Sequence, residues 1–284
     1  MIKNKFSFVK NQTLYMKYYI KKSHKIYKKY GLVDLIVKII LFIFKKPDEI
    51  QKAQINVWNK LSNMYGSTVQ YGPFKDMKIG KMKSWELEYG LITKILGTYE
   101  EQILNILIKF SKKNNTFIDI GAADGFYVVG MAFKKIFKNI YAFEVNSKSR
   151  EVIKLNHKLN KCKQNIKIKG EAKYLSLKRI INKKKKCTIL IDIEGAEFDL
   201  LSIKVLKLLK DCHIVCELHL FYGKKKYYEL IKNAKKIFHC KLIKRKSYNL
   251  NKFKELDNFN DNERLLALSE GRKDNQEWLI LTPK

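Results

Sequence analysis

The chain has 284 residues, 46% of them hydrophobic and 12% aromatic, which is enough to bury a core and excludes a disordered chain. Lys and Arg number 59 against 27 Asp and Glu, a net charge of +32, so nucleic acid, acidic membranes and phosphorylated substrates all stay open as partners. Only five of those cations are Arg, however, and Lys, Asn and Ile recur in every segment, which fits an AT-rich coding bias better than a surface built to read phosphates bidentately.

Residues 1–62 read as a basic helical N-terminal extension, poor in Gly and interrupted by Pro47. Within it Leu32–Phe44 is apolar except for Asp34 and Lys38. It falls short of the roughly 20 residues that a spanning helix needs. A helix docked on the core is the preferred reading. The alternative is an amphipathic helix on an acidic membrane face, in a cytoplasmic protein peripheral to the inner side. Tyr15, Tyr18, Tyr19, Tyr27 and Tyr30 alternate with lysines there, as the aromatic side of an amphipathic helix or as a stacking surface for nucleic acid. Residues 63–115 lead into the core. Tyr65–Gly80, with its Gly72-Pro73 pair, predicts a hairpin or small meander, and Trp85–Phe110 predicts a helix.

From residue 116 to 284 short apolar runs alternate with helix-length segments. The runs are Thr116–Ile120, Asn139–Phe143, Ile166–Lys169, Thr188–Ile191 and His213–Cys216. Such alternation predicts an α/β fold, a Rossmann-like and mostly parallel sheet with helices on both faces. Lys241–Ile243 and Trp278–Leu281 are placed to add an antiparallel pair at the sheet edge. The five cysteines, Cys162, Cys187, Cys212, Cys216 and Cys240, are odd in number and without CxxC spacing, which excludes a disulfide framework and a cysteine zinc site. Strand alternation sets His213 on the opposite face from Cys212 and Cys216, so these read as buried thiols.

The sharpest local pattern follows the first run: Phe117-Ile118-Asp119-Ile120-Gly121-Ala122-Ala123-Asp124-Gly125. A strand ends in an acid, and a Gly-x-x-x-Gly turn opens a helix expected over Phe126–Phe137, where ligands of open parallel sheets bind. The middle glycine of the dinucleotide fingerprint is missing, and Asp124 would repel a pyrophosphate. A nucleoside carrying a sulfonium and an ammonium group fits an acidic loop, which points to S-adenosylmethionine. Glu144 ends the second run, 25 residues after Asp119, where an acid accepts hydrogen bonds from both ribose hydroxyls. Glu171, after the third run, is placed to reach the adenine edge.

Together with these residues, Leu96-Gly97-Thr98-Tyr99-Glu100, Ile191-Asp192-Ile193-Glu194-Gly195-Ala196-Glu197, Glu217-Leu218-His219 and Glu277–Pro283 resemble the FkbM-like branch of class I S-adenosylmethionine-dependent methyltransferases, from about Tyr71 to Pro283. The resemblance implies seven strands ordered 3-2-1-4-5-7-6 with the seventh antiparallel. It also implies that Asp119 and Gly121 line the methionine end, that Ala122, Asp124 and Gly125 complete the loop, that Glu144 holds the ribose and that Glu100 sits near the pocket. Many members carry Asn where this chain has Asp124.

Transfer of a methyl to a hydroxyl needs alignment and a base. His219, Asp192 and Glu217 are the catalytic candidates, with Asp192 also beside the cofactor. The same end of the sheet, with Glu194, offers ligands for Mg²⁺ or another divalent ion as the less favoured alternative. Glu197 reads as a carboxylate at a helix entry. The (Asp/Asn/Ser)-Pro-Pro-(Tyr/Phe) string of many nitrogen methylases is missing after the fourth run. A sugar or other small-metabolite hydroxyl, free or in a glycan, is therefore the expected acceptor. RNA methylation through the basic N-terminal segment, or a non-catalytic binding module, are the alternatives.

Overall fold

The computed structural model describes residues 49–80, 91–219, 223–247, 249–270, 272 and 276–284. The chain separates into two units, Met1–Lys52 and Ala53–Lys284, and the architecture below is that of the second. The Leu32–Phe44 segment and the lysine–tyrosine tract lie outside the described residues. No helix among the described residues is long and apolar enough to cross a membrane.

In chain order the regular elements are α1 (Glu49–Tyr65), α2 (Ile92–Leu96), α3 (Glu101–Ser111), β1 (Thr116–Ile120), α4 (Phe126–Phe133), β2 (Asn139–Phe143), α5 (Ser147–Leu159), β3 (Ile166–Lys169), α6 (Tyr174–Lys184), β4 (Thr188–Ile191), α7 (Glu197–Leu200), α8 (Ile203–Leu208), β5 (His213–Leu218), α9 (Lys224–Lys235), β6 (Phe238–Lys244), α10 (Asp261–Ala267) and β7 (Glu277–Pro283). The strands form one seven-stranded sheet ordered β3-β2-β1-β4-β5-β7-β6. Strands β1 to β5 run parallel, and β7 is antiparallel to both β5 and β6. This is the Rossmann-like sheet that the alternation predicts, in the order that the resemblance implies.

Side-chain alternation divides the core into two layers. Phe117, Ile140, Ala142, Leu190, Val215 and Trp278 pack on one face with α3 and α4. Ile118, Tyr141, Ile189, Ile214, Cys216 and Leu279 pack on the other with α6 and α8. His213 falls on the face opposite Cys216, beside the Phe110 ring and 3.0 Å from Asn114 Nδ2. All five cysteines are free thiols, although Cys162 and Cys240 are only half-buried.

Two sequence expectations change. The helix expected over Trp85–Phe110 is interrupted, because Gly97 (φ 77°) and Glu100 (φ 43°) take left-handed conformations between α2 and α3. A side chain on Gly97 would overlap the Tyr71 carbonyl, so the close approach of two backbones dictates the break. The helix expected over Phe126–Phe137 stops at Phe133, before Lys135 (φ 54°). Tyr65–Gly80 is a minimal hairpin with a single antiparallel bridge, Thr68 to Lys78. It is tied to α5 through Asn156, which accepts from the Gly80 nitrogen at 2.8 Å, and through Asn160, which accepts from the Lys78 nitrogen at 2.7 Å.

Candidate active site

Strand register aligns the chemistry. Ile120 pairs with Phe143 on one side and Ile191 on the other, and Ile191 pairs with Cys216. The next residues, Gly121, Glu144, Asp192 and Glu217, therefore stand at one level along the carboxyl edge, where β1 and β4 diverge and an open α/β sheet leaves a crevice. A cleft of about 1400 Å³, counting its solvent-open mouth, lies there. Of the residues expected from sequence, Glu100, Asp119, Gly121, Ala122, Asp124, Asp192 and Glu217 line it; Gly125, Glu144, Glu171 and His219 do not. Trp58, Tyr99, Phe126, Tyr127 and Trp278 supply aromatic wall.

The two loop glycines make room for protein rather than for a ligand. Gly121 has φ 96°, and a β-carbon there would overlap the Asp192 carbonyl oxygen. At Gly125 (φ 84°) a β-carbon would press on the Ile153 side chain at 3.0 Å. Gly121 and Ala122 both donate their N–H to the Phe143 carbonyl, which holds the turn against β2. Asp124 is not a bare charge, as the sequence suggested. Lys94, itself only 3% exposed, reaches its Oδ2 at 2.8 Å, and the Phe126 N–H donates to its Oδ1 at 3.1 Å.

The acidity of the cleft lies elsewhere. Asp119 is 2% exposed and accepts no hydrogen bond from a described residue. Burial, reinforced by Glu144, Asp124 and Glu100, pushes its carboxyl well above the usual range. Asp192 is raised too, by burial and by the Glu217, Glu100 and Glu194 charges. Its Oδ1 is a buried oxygen without a hydrogen-bond partner, and so is Glu217 Oε2. Glu100 is raised to about 7, by burial first and then by Glu217, with Arg272 opposing. Arg272 bridges Glu100 and Glu217, its Nη1 lying 3.0 Å from Glu217 Oε1. Gln276 donates to the same two carboxylates, and the Tyr127 hydroxyl donates to Glu100 Oε2 at 2.6 Å.

Glu144 closes the β2 end of the loop. Its Oε2 accepts from the Ala123 N–H at 2.9 Å and its Oε1 from the Asn146 N–H at 2.7 Å. Glu171 is exposed, with Lys173 at 3.1 Å, and does not meet the cleft. His219 is 10% exposed by its side chain. Its Nδ1 lies 3.0 Å from Glu197 Oε1, and its Nε2 lies 3.7 Å from Asp192 Oδ1, 3.5 Å from Glu194 Oε2 and 3.7 Å from Glu217 Oε1. Burial alone would lower its pKa, but Glu197, Glu217 and Glu194 raise it. Glu197, fully buried, accepts from Gly195 N–H and His219 N–H.

Sequence reasoning missed Lys94, Arg272, Gln276 and the buttress at Glu197. Only Glu197 had a local signal, as the last acid of the Asp192–Glu197 string. The others reach Asp124, Glu100 and Glu217 from positions distant in sequence.

No protein-family model matches the sequence, and no curated protein matches it. Among solved structures the chain is similar to precorrin 8w decarboxylase from Methanobacterium thermoautotrophicum, with 13% identity, a TM-score of 0.41, and 64% of this chain and 90% of that one covered. It is also similar to precorrin-6y C5,15-methyltransferase from Geobacter metallireducens, with 12% identity, a TM-score of 0.43, and 65% and 89% covered. A third is an rRNA methylase from Streptococcus thermophilus, with 10% identity, a TM-score of 0.41, and 65% and 96% covered. The strand order and the antiparallel β7 by themselves make the fold Rossmann-like.

Proposed function

We propose that the protein is an S-adenosylmethionine-dependent methyltransferase of the FkbM-like kind, transferring a methyl group to a hydroxyl of a sugar or another small metabolite. The observation that carries this reading is a pair of desolvated carboxyls, Asp119 and Asp192, facing one cleft at the switch point of the sheet in a chain whose net charge is +32. Such groups are costly without a cation and gain from one. The buried, partnerless oxygens of Asp192 and Glu217 fit the same positively charged ligand.

When bound, the sulfonium supplies a methyl group that is already activated. Asp119 takes the ammonium end. Glu144 is held by two backbone N–H groups and keeps a lone pair on each oxygen for the ribose hydroxyls. Tyr99, Phe126 and Trp278 exclude water from the cleft. Asp192 and Glu217 form the acceptor end. Either can take the proton that the acceptor loses as its oxygen bonds to the methyl carbon and the carbon–sulfur bond breaks. His219 stands behind them and orients their charge. A hydroxyl acceptor follows from the family motifs, and the surplus of lysines keeps RNA as the acceptor to test against it.

Calorimetric titration of S-adenosylmethionine and S-adenosylhomocysteine into the wild type and Glu144→Ala tests the reading. Micromolar binding, weakened at least tenfold in the variant, is expected. A folded wild type that binds neither ligand would overturn it.

A further inference from the structure

We infer that Asp192, Glu194 and His219 form a binding site for one divalent first-row cation of the Mn²⁺ type. Their ligand atoms lie within 4.8 Å of one another, with His219 Nε2 3.7 Å from Asp192 Oδ1 and 3.5 Å from Glu194 Oε2. Neither separation is a hydrogen bond of ordinary length, and both are close to the spacing between two ligands on one ion. An independent observation points into the same place: Asp192 Oδ1 is a buried oxygen without a partner.

The arrangement behind the histidine supports the assignment. Glu197 Oε1 accepts from His219 Nδ1 at 3.0 Å and is fixed by the His219 backbone N–H at 2.9 Å. A carboxylate that holds one imidazole nitrogen sets the tautomer and leaves the other nitrogen as a lone-pair donor, which is the usual support of a metal-bound histidine. Glu194 reaches the site from the turn after β4 with a left-handed backbone (φ 52°) and an exposed side chain. Two carboxylate oxygens and one imidazole nitrogen suit Mn²⁺, Fe²⁺ or Zn²⁺ better than Mg²⁺ or Ca²⁺, which prefer oxygen throughout. Three protein ligands leave positions open on the ion.

The use of the ion rests on the methyltransferase reading. Asp192 lines the cleft, so an ion there meets an acceptor oxygen and lowers the pKa of its hydroxyl. Asp192 is then a ligand, and Glu217 is the group left to receive the proton.

The test uses the full chain in the absence of S-adenosylmethionine. MnCl₂ is titrated with free Mn²⁺ read by electron paramagnetic resonance, and MgCl₂ is run in parallel. One Mn²⁺ per chain is expected, bound more tightly than Mg²⁺, with nitrogen hyperfine coupling from one imidazole. Glu194→Gln, at an exposed position, keeps the fold by circular dichroism and weakens binding at least about tenfold. His219→Gln removes the nitrogen coupling. Absence of Mn²⁺ binding to the wild type, or binding that survives both substitutions unchanged, overturns the site. S-adenosylhomocysteine is titrated separately, so that failure of the ion site and failure of the cofactor reading are told apart.

Discussion

Glu197 Oε1 lies 3.0 Å from His219 Nδ1 and 2.9 Å from the backbone nitrogen of the same residue. One buried carboxylate oxygen thus fixes both the ring and the chain of the histidine that follows β5, while the other oxygen takes the Gly195 N–H. The pair is made across the β4–β5 boundary, at the place where two loops must hold three further acids. Glu197→Ala removes the acceptor of three donors in a dry site. It should cost about 3 kcal/mol in chemical unfolding, and Glu197→Gln, which keeps one acceptor oxygen, should cost less.

Gly121 carries a sterically absolute requirement. Gly121→Ala should destabilise the protein by roughly 3 kcal/mol, since a methyl group would meet the Asp192 carbonyl as well as a φ of 96°. Gly66→Ala is the control. It also lies at positive φ, 60°, but its β-carbon meets nothing within 4 Å, so about 1 kcal/mol is expected. Thermal unfolding of the two variants measures the difference.

If the proposed function holds, Asp119 should make cofactor affinity dependent on pH. Its carboxyl is raised well above the usual range by burial, which favours the protonated form in the free protein, and a cationic ligand would oppose that shift. Affinity for S-adenosylmethionine should therefore increase with pH until Asp119 is ionised in the free protein. Calorimetry in buffers of different ionisation heat should detect a proton released on binding. In Asp119→Asn that proton should be missing and affinity at high pH should fall about tenfold; unchanged proton release would refute the assignment.

Glu100 makes stability dependent on pH. Its folded pKa is raised to about 7 from 4.5, by burial first. The folded state then binds the proton more tightly than the unfolded chain does. Its contribution to stability is fully present below about pH 4.5 and is lost as pH rises through 7. Urea unfolding of the wild type and Glu100→Gln between pH 5 and 8 should show a shallower decline in the variant. Equal slopes would mean that Arg272 keeps Glu100 ionised throughout.

The sheet was legible because its signals are local. The five parallel strands fall where the apolar runs stand, and only β5 extends further, to Leu218. The edge pair also runs longer than its apolar centres, because β6 and β7 include polar ends such as His239 and Glu277. The break at Gly97 was hidden, since apolar spacing persists on both sides of it and its cause is the Tyr71 backbone.

The candidate site was half legible. Acids at strand ends are read from their position, so Asp119, Asp192 and Glu217 were found, and they share the cleft. Which charge meets which is a property of the folded chain. Arg272 reaches Glu100 across 172 positions and Glu217 across 55, and Lys94 reaches Asp124 across 30. In a chain with so many lysines, nothing distinguishes the one that is buried.

The place of β7 between β5 and β6 has a consequence for the order of folding. It follows β6 in the chain, yet it is the sole neighbour of β6 and the outer neighbour of β5 among the described strands. Until it threads between them, β6 has no ladder partner, and Arg272 and Gln276 have no anchor beside Glu100 and Glu217. Until β7 docks, Glu100 and Glu217 thus lack Arg272 and Gln276 as partners, and the carboxyl end of the sheet closes last.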